Sequence, residues 1–480
     1  MSVHPIEFRY YSPAMRALFT EEAKLQNWLT VEAALARAHA RLGHIPKAAS
    51  AVISRNANVT KVRLKRVKAI EADIHHDLMA MVRALTEACG DKAGKYVHLG
   101  ATSYDIEDTA LALQLGAALN LIAQDARALL KTLAALARRT RKLVCVGRTH
   151  GQHAVPTTYG LKFAIYAGEV HRHLDRLAEA QRRIRVGKMT GAVGTQASFG
   201  AKAPQLQRLV MKALGLTPVM VSNQVIQRDR HAEVVFNLAL LAATGEKIAR
   251  EIRNLQRTAI GEVFEAFQKQ QVGSSTMPQK RNPHKSERIC SLARIIRAQV
   301  APALENIPLE HERDLTNSAA ERVIFPEAFI LTDYLLRQLD EILRGLDIRK
   351  QAIQKNLGLT NGLIMSERIM LELVKRGIGR QAAHEILRQA AQTAFAANQS
   401  LKAILLRDRH ITKVMTAAAL DRCLDPASYI GTAVAQVDAV LAALPRRSPR
   451  LRQSDPLPRC EATGRSASVV TRHKKGRKQP

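Results

Sequence analysis

Aromatic side chains are scarce in this chain, at 4% of 480 residues with one tryptophan, Trp28. That argues against a platform that reads single-stranded nucleic acid by stacking bases on rings. With Ala and Leu abundant, it also favours helices over sheets. Cysteine is equally sparse. Cys89, Cys145, Cys290, Cys423 and Cys460 are far apart and form neither a CxxC pair nor a Cys/His cluster with metal-ligand spacing. This argues against a disulfide framework or a zinc site and points to reduced thiols in a cytoplasmic compartment. The opening MSVHPIEFRYYS lacks the apolar stretch of a signal peptide. No apolar run approaches the roughly 20 residues of a membrane helix, so a soluble chain with no membrane partner is expected.

Acidic residues are outnumbered, 42 against 73 Lys and Arg, for a net charge of +31. Part of the excess sits in a tail: residues 445–480 hold eleven Lys/Arg and two Asp/Glu, leaving +22 in the body. Charge of this kind is usually solvated helix surface. A nucleic-acid role for the chain is therefore not expected, apart from weak binding by the basic tail, whose Pro, Arg, Ser and Lys composition predicts disorder.

What is present is long helical periodicity. Apolar positions at helical spacing over 18–43 end in Gly43, and 48–90 continues with a break near Asn56–Asn58. DKAGKYVHLGATSYD reads as a loop running into an N-capped helix over 105–141. VCVGRTHGQHAVPTT reads as a second loop, followed by helices over 158–187, 203–214 and 229–268. GSSTMPQKRNPHKSE is a third, Gly/Pro-bearing loop before helices over 286–305 and 325–345. The organisation expected is an N-terminal helical domain (1–104), a central long-helix domain (105–355), a C-terminal helical domain (356–444) broken at Gly377–Gly379 and Asp425–Pro426, and the tail. Helices this long bury more than one face, which implies subunit association.

The third loop carries chemistry. Three consecutive hydroxyls, a glycine that lets the loop move, and Lys280, Arg281, Asn282 and Glu287 lie in one short run. Lys and Asn there suit a carboxylate ligand; a solvated basic loop is the plainer alternative.

GSSTMPQKRNPHKSE resembles the signature loop of the fumarase/aspartase superfamily, whose members eliminate fumarate from succinyl compounds. GRTHGQHAVPTTYGLK at 147–162 is more similar to adenylosuccinate lyases than to fumarases or argininosuccinate lyases. YVHLGATSYDIEDTA, RYYSPAM, SNQVIQRDRHAE and HERDLTNSAAERVIFPEA resemble the same family, over about residues 7–444. Glu310, where a tryptophan is expected before HERD, Leu99 after His98, and Thr316, Asn317 and Ala319 depart from its pattern.

The resemblance implies a mostly α, fumarase/aspartase-like fold, with a homotetramer whose long helices form a twenty-helix core. It implies cleavage of adenylosuccinate and of succinylaminoimidazole-carboxamide ribotide, with no metal or organic cofactor. β-Elimination of an amine needs a base for the Cβ proton, stabilisation of a dianionic intermediate, and an acid for the leaving nitrogen. The resemblance nominates Ser274 as base and His150 as acid. It gives His76 a substrate contact and Glu287 the orientation of the acid histidine. It sets Lys280 and Asn282 on the succinyl carboxylates, with Thr102, Ser103 and Thr149 as hydroxyl donors. Arg9, Tyr10, Arg313, Ser318 and Arg322 should hold phosphate and ribose, Gln224 the substrate amide or carboxylate, and His98 the nucleotide. His75 is expected to be structural, facing away on a helix. Each site should combine the 96–110, 147–160 and 273–287 loops of three subunits. A rival within the superfamily is 3-carboxymuconate cycloisomerase; a rival of another class is a basic nucleic-acid-binding protein.

Overall fold

Hydroxyl caps set where three of the long helices start. In the computed structural model, which describes residues 3–267, 270 and 273–444, Thr20 Oγ1 accepts from Ala23 N at 3.1 Å and Thr158 Oγ1 from Leu161 N at 3.2 Å. Thr102 and Asp105 close a reciprocal capping box. The basic tail over 445–480, with Cys460, lies outside the described residues.

Two short turns, α1 (Pro5–Phe8) and α2 (Pro13–Leu18), lead into α3 (Glu21–Arg41), α4 (Lys47–Asn56), α5 (Leu64–Ile74) and α6 (Asp77–Gly94). The break expected near Asn56–Asn58 is present. A second break falls at His75, which adopts φ 53° and caps α5; it does not sit on a helix facing away, as expected. The N-terminal core is built by α3–α6 around Trp28, Leu35, Ile53, Leu78 and Leu85. It also takes Ile106 from the next helix and Leu206 and Val210 from α9 (Ala203–Leu214).

The centre is a bundle of long helices: α7 (Ser103–Thr140), α8 (Tyr159–Ile184), α10 (Asp229–Leu255) and α13 (Thr316–Arg344), with α11 (His284–Ala298) and α12 (Val300–Glu305) alongside. Side-chain pairs fix their directions. Lys162 meets Glu251 at one end of α8 and Arg183 meets Glu233 at the other, so α8 and α10 are antiparallel. Arg228 joins Asp108 to Glu321 near the starts of α7 and α13, and Thr132 reaches Asp340 far along both, so these two run parallel. Parts of α7 are apolar and long enough to span a membrane by composition alone, but 61% of that window is buried inside the protein.

Three expectations are corrected. VCVGRTHGQHAVPTT is not a loop but an antiparallel hairpin, β1 (Val144–Thr149) with β2 (Gln152–Thr158). β-Branched residues favour the strands, and His150 and Gly151, at φ 55° and 76°, make the two-residue turn. The helix expected over 229–268 stops at Leu255, because Val263–Phe264 pairs with Asp347–Ile348 instead. The helix expected from 325 begins at Thr316 and carries Pro326 internally.

Helix α14 (Lys350–Gly358) leads to α15 (Ser366–Lys375), α16 (Arg380–Ala396), α17 (Leu401–Leu405), α18 (Arg409–Thr412), α19 (Ala417–Leu424) and α20 (Ala433–Ala443). The breaks at Gly377 and at Asp425–Pro426 are both present. Ile369, Leu373, Leu387, Leu401 and Leu420 form a separate small core there.

Candidate functional site

The nominated residues collect at two ends of the bundle. At the first end lie the starts of α7 and α13. Thr102 and Ser103 form the N-terminal cap of α7, pinned by Asp105, which is fully buried. Asp105 also accepts from Lys188 Nζ at 2.6 Å and Thr190 N at 2.8 Å, so it ties this turn to the glycine-rich 188–196 segment. The N-capped start expected here is present, but Asp105 is not among the expected site residues. Its signal was the hydroxyl–x–x–acid spacing.

His98 sits just before this cap at φ 61°. Its Nδ1 lies 2.6 Å from Glu32 Oε1, and Glu32 is buried. Burial opposes the charge on His98, but the Glu32 carboxylate outweighs it and raises the imidazole pKa. Glu32 was not anticipated, since nothing in its own helix marks it.

Gln224 and Arg313 meet at this end, with Arg313 Nη1 donating to Gln224 Oε1 at 2.6 Å. The Arg313 guanidinium stacks 4.0 Å from the Tyr104 ring, and its Nε is buried without a partner among the described residues. Tyr104 in turn lines a cavity of about 180 Å³ with Ser318 and Arg322. Arg322 Nη2 donates to Asp77 Oδ2 at 2.7 Å. Asp77 follows His76, which caps α6 by accepting from Met79 N at 3.4 Å. Burial works against the Asp77 carboxylate, but Lys24 and Arg322 hold it below the usual range. Glu107 lines the same cavity, and burial and the nearby Asp77 push it up to about 7.

At the second end, Thr149 and His150 form the exposed tip of the hairpin. Its base is anchored by Glu262, which is fully buried and takes hydrogen bonds from Arg148, Tyr159 and Asn356. Lys280, Asn282 and Glu287 line one open cleft there, joined by Arg253, Arg257, Arg349 and Lys350. Ser274 Oγ accepts from Thr276 N and Met277 N at 3.3 and 3.1 Å, forming a tight hydroxyl turn. Asn282 Nδ2 donates to Gly273 O at 3.0 Å, closing the loop at its neck. A Cβ at Gly273 would run into the Lys280 carbonyl, so only glycine fits there. No hydrogen bond joins Glu287 to a histidine among the described residues.

Arg9 and Tyr10 stand apart from Ser318 and Arg322 within the chain. Tyr10 packs edge-on against Tyr334 at 5.5 Å, sixteen positions beyond Ser318 on α13, or about 24 Å along the helix.

These two ends are far apart. The 38 residues of α7 span about 57 Å at helical rise. The six residues of β1 recover at most about 20 Å if folded back. One chain therefore does not bring His150 to His76, His98, Ser103 or Arg322. The bundle helices also carry exposed apolar side chains, Ile165, Phe236, Ile295 and Val323.

Sequence comparison matches residues 7–298 to the lyase family and residues 362–440 to the adenylosuccinate lyase C-terminus family. The chain is 54% identical to adenylosuccinate lyase of Pyrococcus horikoshii over 433 residues, covering 90% of this chain and 96% of that protein. It is 51% identical to adenylosuccinate lyase of Methanocaldococcus jannaschii, covering 92% and 96%. Among solved structures it resembles a fumarate lyase from Mesorhizobium sp. BNC1, with TM-score 0.84 and 33% identity over 90% of this chain and 98% of that one. It is equally similar in fold to a 3-carboxy-cis,cis-muconate lactonizing enzyme from Pseudomonas putida, with TM-score 0.84 and 35% identity over 91% and 98%.

Proposed function

Because the chain belongs to the adenylosuccinate lyase family of the fumarase/aspartase superfamily, we propose that it eliminates fumarate from two succinyl-substituted substrates. One is adenylosuccinate, leaving AMP; the other is succinylaminoimidazole-carboxamide ribotide, leaving the carboxamide ribotide. The observation that carries this reading is the separation of two polar sets with different chemistry. One offers Arg313, Ser318 and Arg322 to a phosphate; the other offers Lys280 and Asn282 to a dicarboxylate. A substrate with a phosphate at one end and a succinyl group at the other matches both.

In this reading the sets meet across subunits of a homotetramer, with the long helices forming a twenty-helix core. Ser274 removes the Cβ proton once the loop closes and excludes water. Lys280 and Asn282 stabilise the dianionic carboxylate that develops. His150 delivers a proton to the departing purine nitrogen, Glu287 of another subunit orients it, and His76 contacts the substrate. Thr102, Ser103 and Thr149 supply hydroxyl donors, Gln224 holds the amide or carboxylate, and His98 with Arg9 and Tyr10 lines the nucleotide.

The test is fumarate release from each nucleotide by the wild type and by Ser274→Ala and His150→Ala. Both substrates should be cleaved, and each variant should lose roughly 10²–10⁴-fold in turnover without losing its fold. A second reading, muconate cycloisomerisation, is favoured only by the shared fold of the Pseudomonas putida enzyme. Turnover of a carboxymuconate with none of adenylosuccinate would replace the first reading with the second.

A further inference from the structure

Lys24 has no assigned task, yet it occupies an unusual position. It lies in the first turns of α3 and lines the small cavity that also holds Ser318 and Arg322. Its ammonium rests over the Trp28 ring at 4.5 Å. Its nearest carboxylate, Asp77 Oδ2, is 3.7 Å away, beyond hydrogen-bond reach, and that oxygen is already taken by Arg322 at 2.7 Å. Lys24 Nζ makes no other ion pair or hydrogen bond among the described residues, although the side chain is only 29% exposed. Burial first and Arg322 second depress its pKa, while Asp77 supports its charge.

Two cations therefore converge on Asp77, with Glu21 and Glu107 lining the cavity farther off, and Lys24 keeps its donors free. Half-buried charge without a hydrogen-bond acceptor is costly. An anion seated between Lys24 and Arg322 would relieve both the missing acceptor and the repulsion between the cations. The cavity opens beside Tyr104, whose ring carries Arg313, so Lys24 faces the same space as the phosphate-holding set.

Resting on the function proposed above, we propose that Lys24 is a further phosphate-binding residue, completing with Arg322 and Ser318 a cradle for the phosphate monoester of the substrate. A purely structural Lys24 would instead tie α3 to α6 through Asp77 and Trp28.

Product inhibition separates these roles, because the two products occupy opposite ends of the site. Inhibition constants for AMP and for fumarate are measured on the full-length enzyme and on Lys24→Met and Lys24→Arg. The expected result is a rise of at least tenfold in the AMP constant for Lys24→Met, with the fumarate constant within twofold of wild type. Lys24→Arg should recover most of the AMP affinity. An unchanged AMP constant, or equal weakening of AMP and fumarate, overturns the assignment. If Lys24→Met does not fold, Lys24→Gln takes its place: a rise confined to the AMP constant supports the assignment, and constants identical to wild type for both products refute it. A wild type that cleaves adenylosuccinate while Lys24→Met binds AMP normally defeats this inference alone. A wild type that does not cleave adenylosuccinate defeats the proposed function as well.

Discussion

Equal co-expression of His76→Ala and His150→Ala chains should restore activity that neither variant has alone. His76 lies beside the Asp77–Arg322 pair at the start of α13, and His150 is at the hairpin tip beyond the far end of α7. The helix between them is about 57 Å long, and folding the hairpin back removes at most about 20 Å of that. No site can then take both histidines from one chain. In a mixed assembly, a site is intact when its His76 comes from the His150→Ala chain and its His150 from the His76→Ala chain. Random assembly makes each event one chance in two, so roughly a quarter of the sites are native. The assay is steady-state fumarate release by the co-purified hybrid, with distinct affinity tags confirming that both chains are present. Expected turnover is about 25% of wild type, against roughly 10²–10⁴-fold losses for each variant alone. A verified hybrid that stays at the level of the separate variants would show that both histidines serve one site from one chain, and the shared-site reasoning would fail.

Arg228 is 2% exposed and binds Asp108 and Glu321, so Arg228→Met strands two carboxylates in the bundle; the expected loss is about 3–5 kcal/mol, read as a lower denaturant midpoint. A midpoint within error of wild type would show that the triad contributes nothing. The Asp125 carboxyl, buried against Asp333, is pushed up to about 8 by burial and then by that neighbour. Its folded pKa lies above the unfolded value of about 4, so the folded state holds the extra proton and stability falls as pH rises between about 4 and 8. Asp125→Asn removes that titration, so its melting temperature should gain on wild type from pH 5 to pH 8; a constant difference across the range would contradict this.

Much of the local structure was legible in the chain. Helix starts at Thr20, Thr102 and Thr158 follow from hydroxyl caps, and the breaks at Gly43, Gly377 and Pro426 from residues that end helices. These are local effects, carried by a few neighbouring residues. The GRTH segment was harder. Its Gly and His suggested a loop, but Val144, Cys145 and Val146 needed partners at Thr158, Thr157 and Pro156 to become a strand. The end of α10 at Leu255 was hidden for the same reason, since Val263 pairs with Ile348, far along the chain.

Residue type and spacing dictate which side chains are available for the chemistry, because they set what a loop can bind. Tertiary structure alone decided which of them share a pocket. Glu32 under His98, Asp77 on Arg322 and Glu262 beneath the hairpin are brought to their partners by helix packing across 60 to 250 positions. No short-range pattern encodes such pairings, because they depend on where whole helices end up. The same packing put His76 and His150 at opposite ends of one long helix, a distance that neither residue's own neighbours encode.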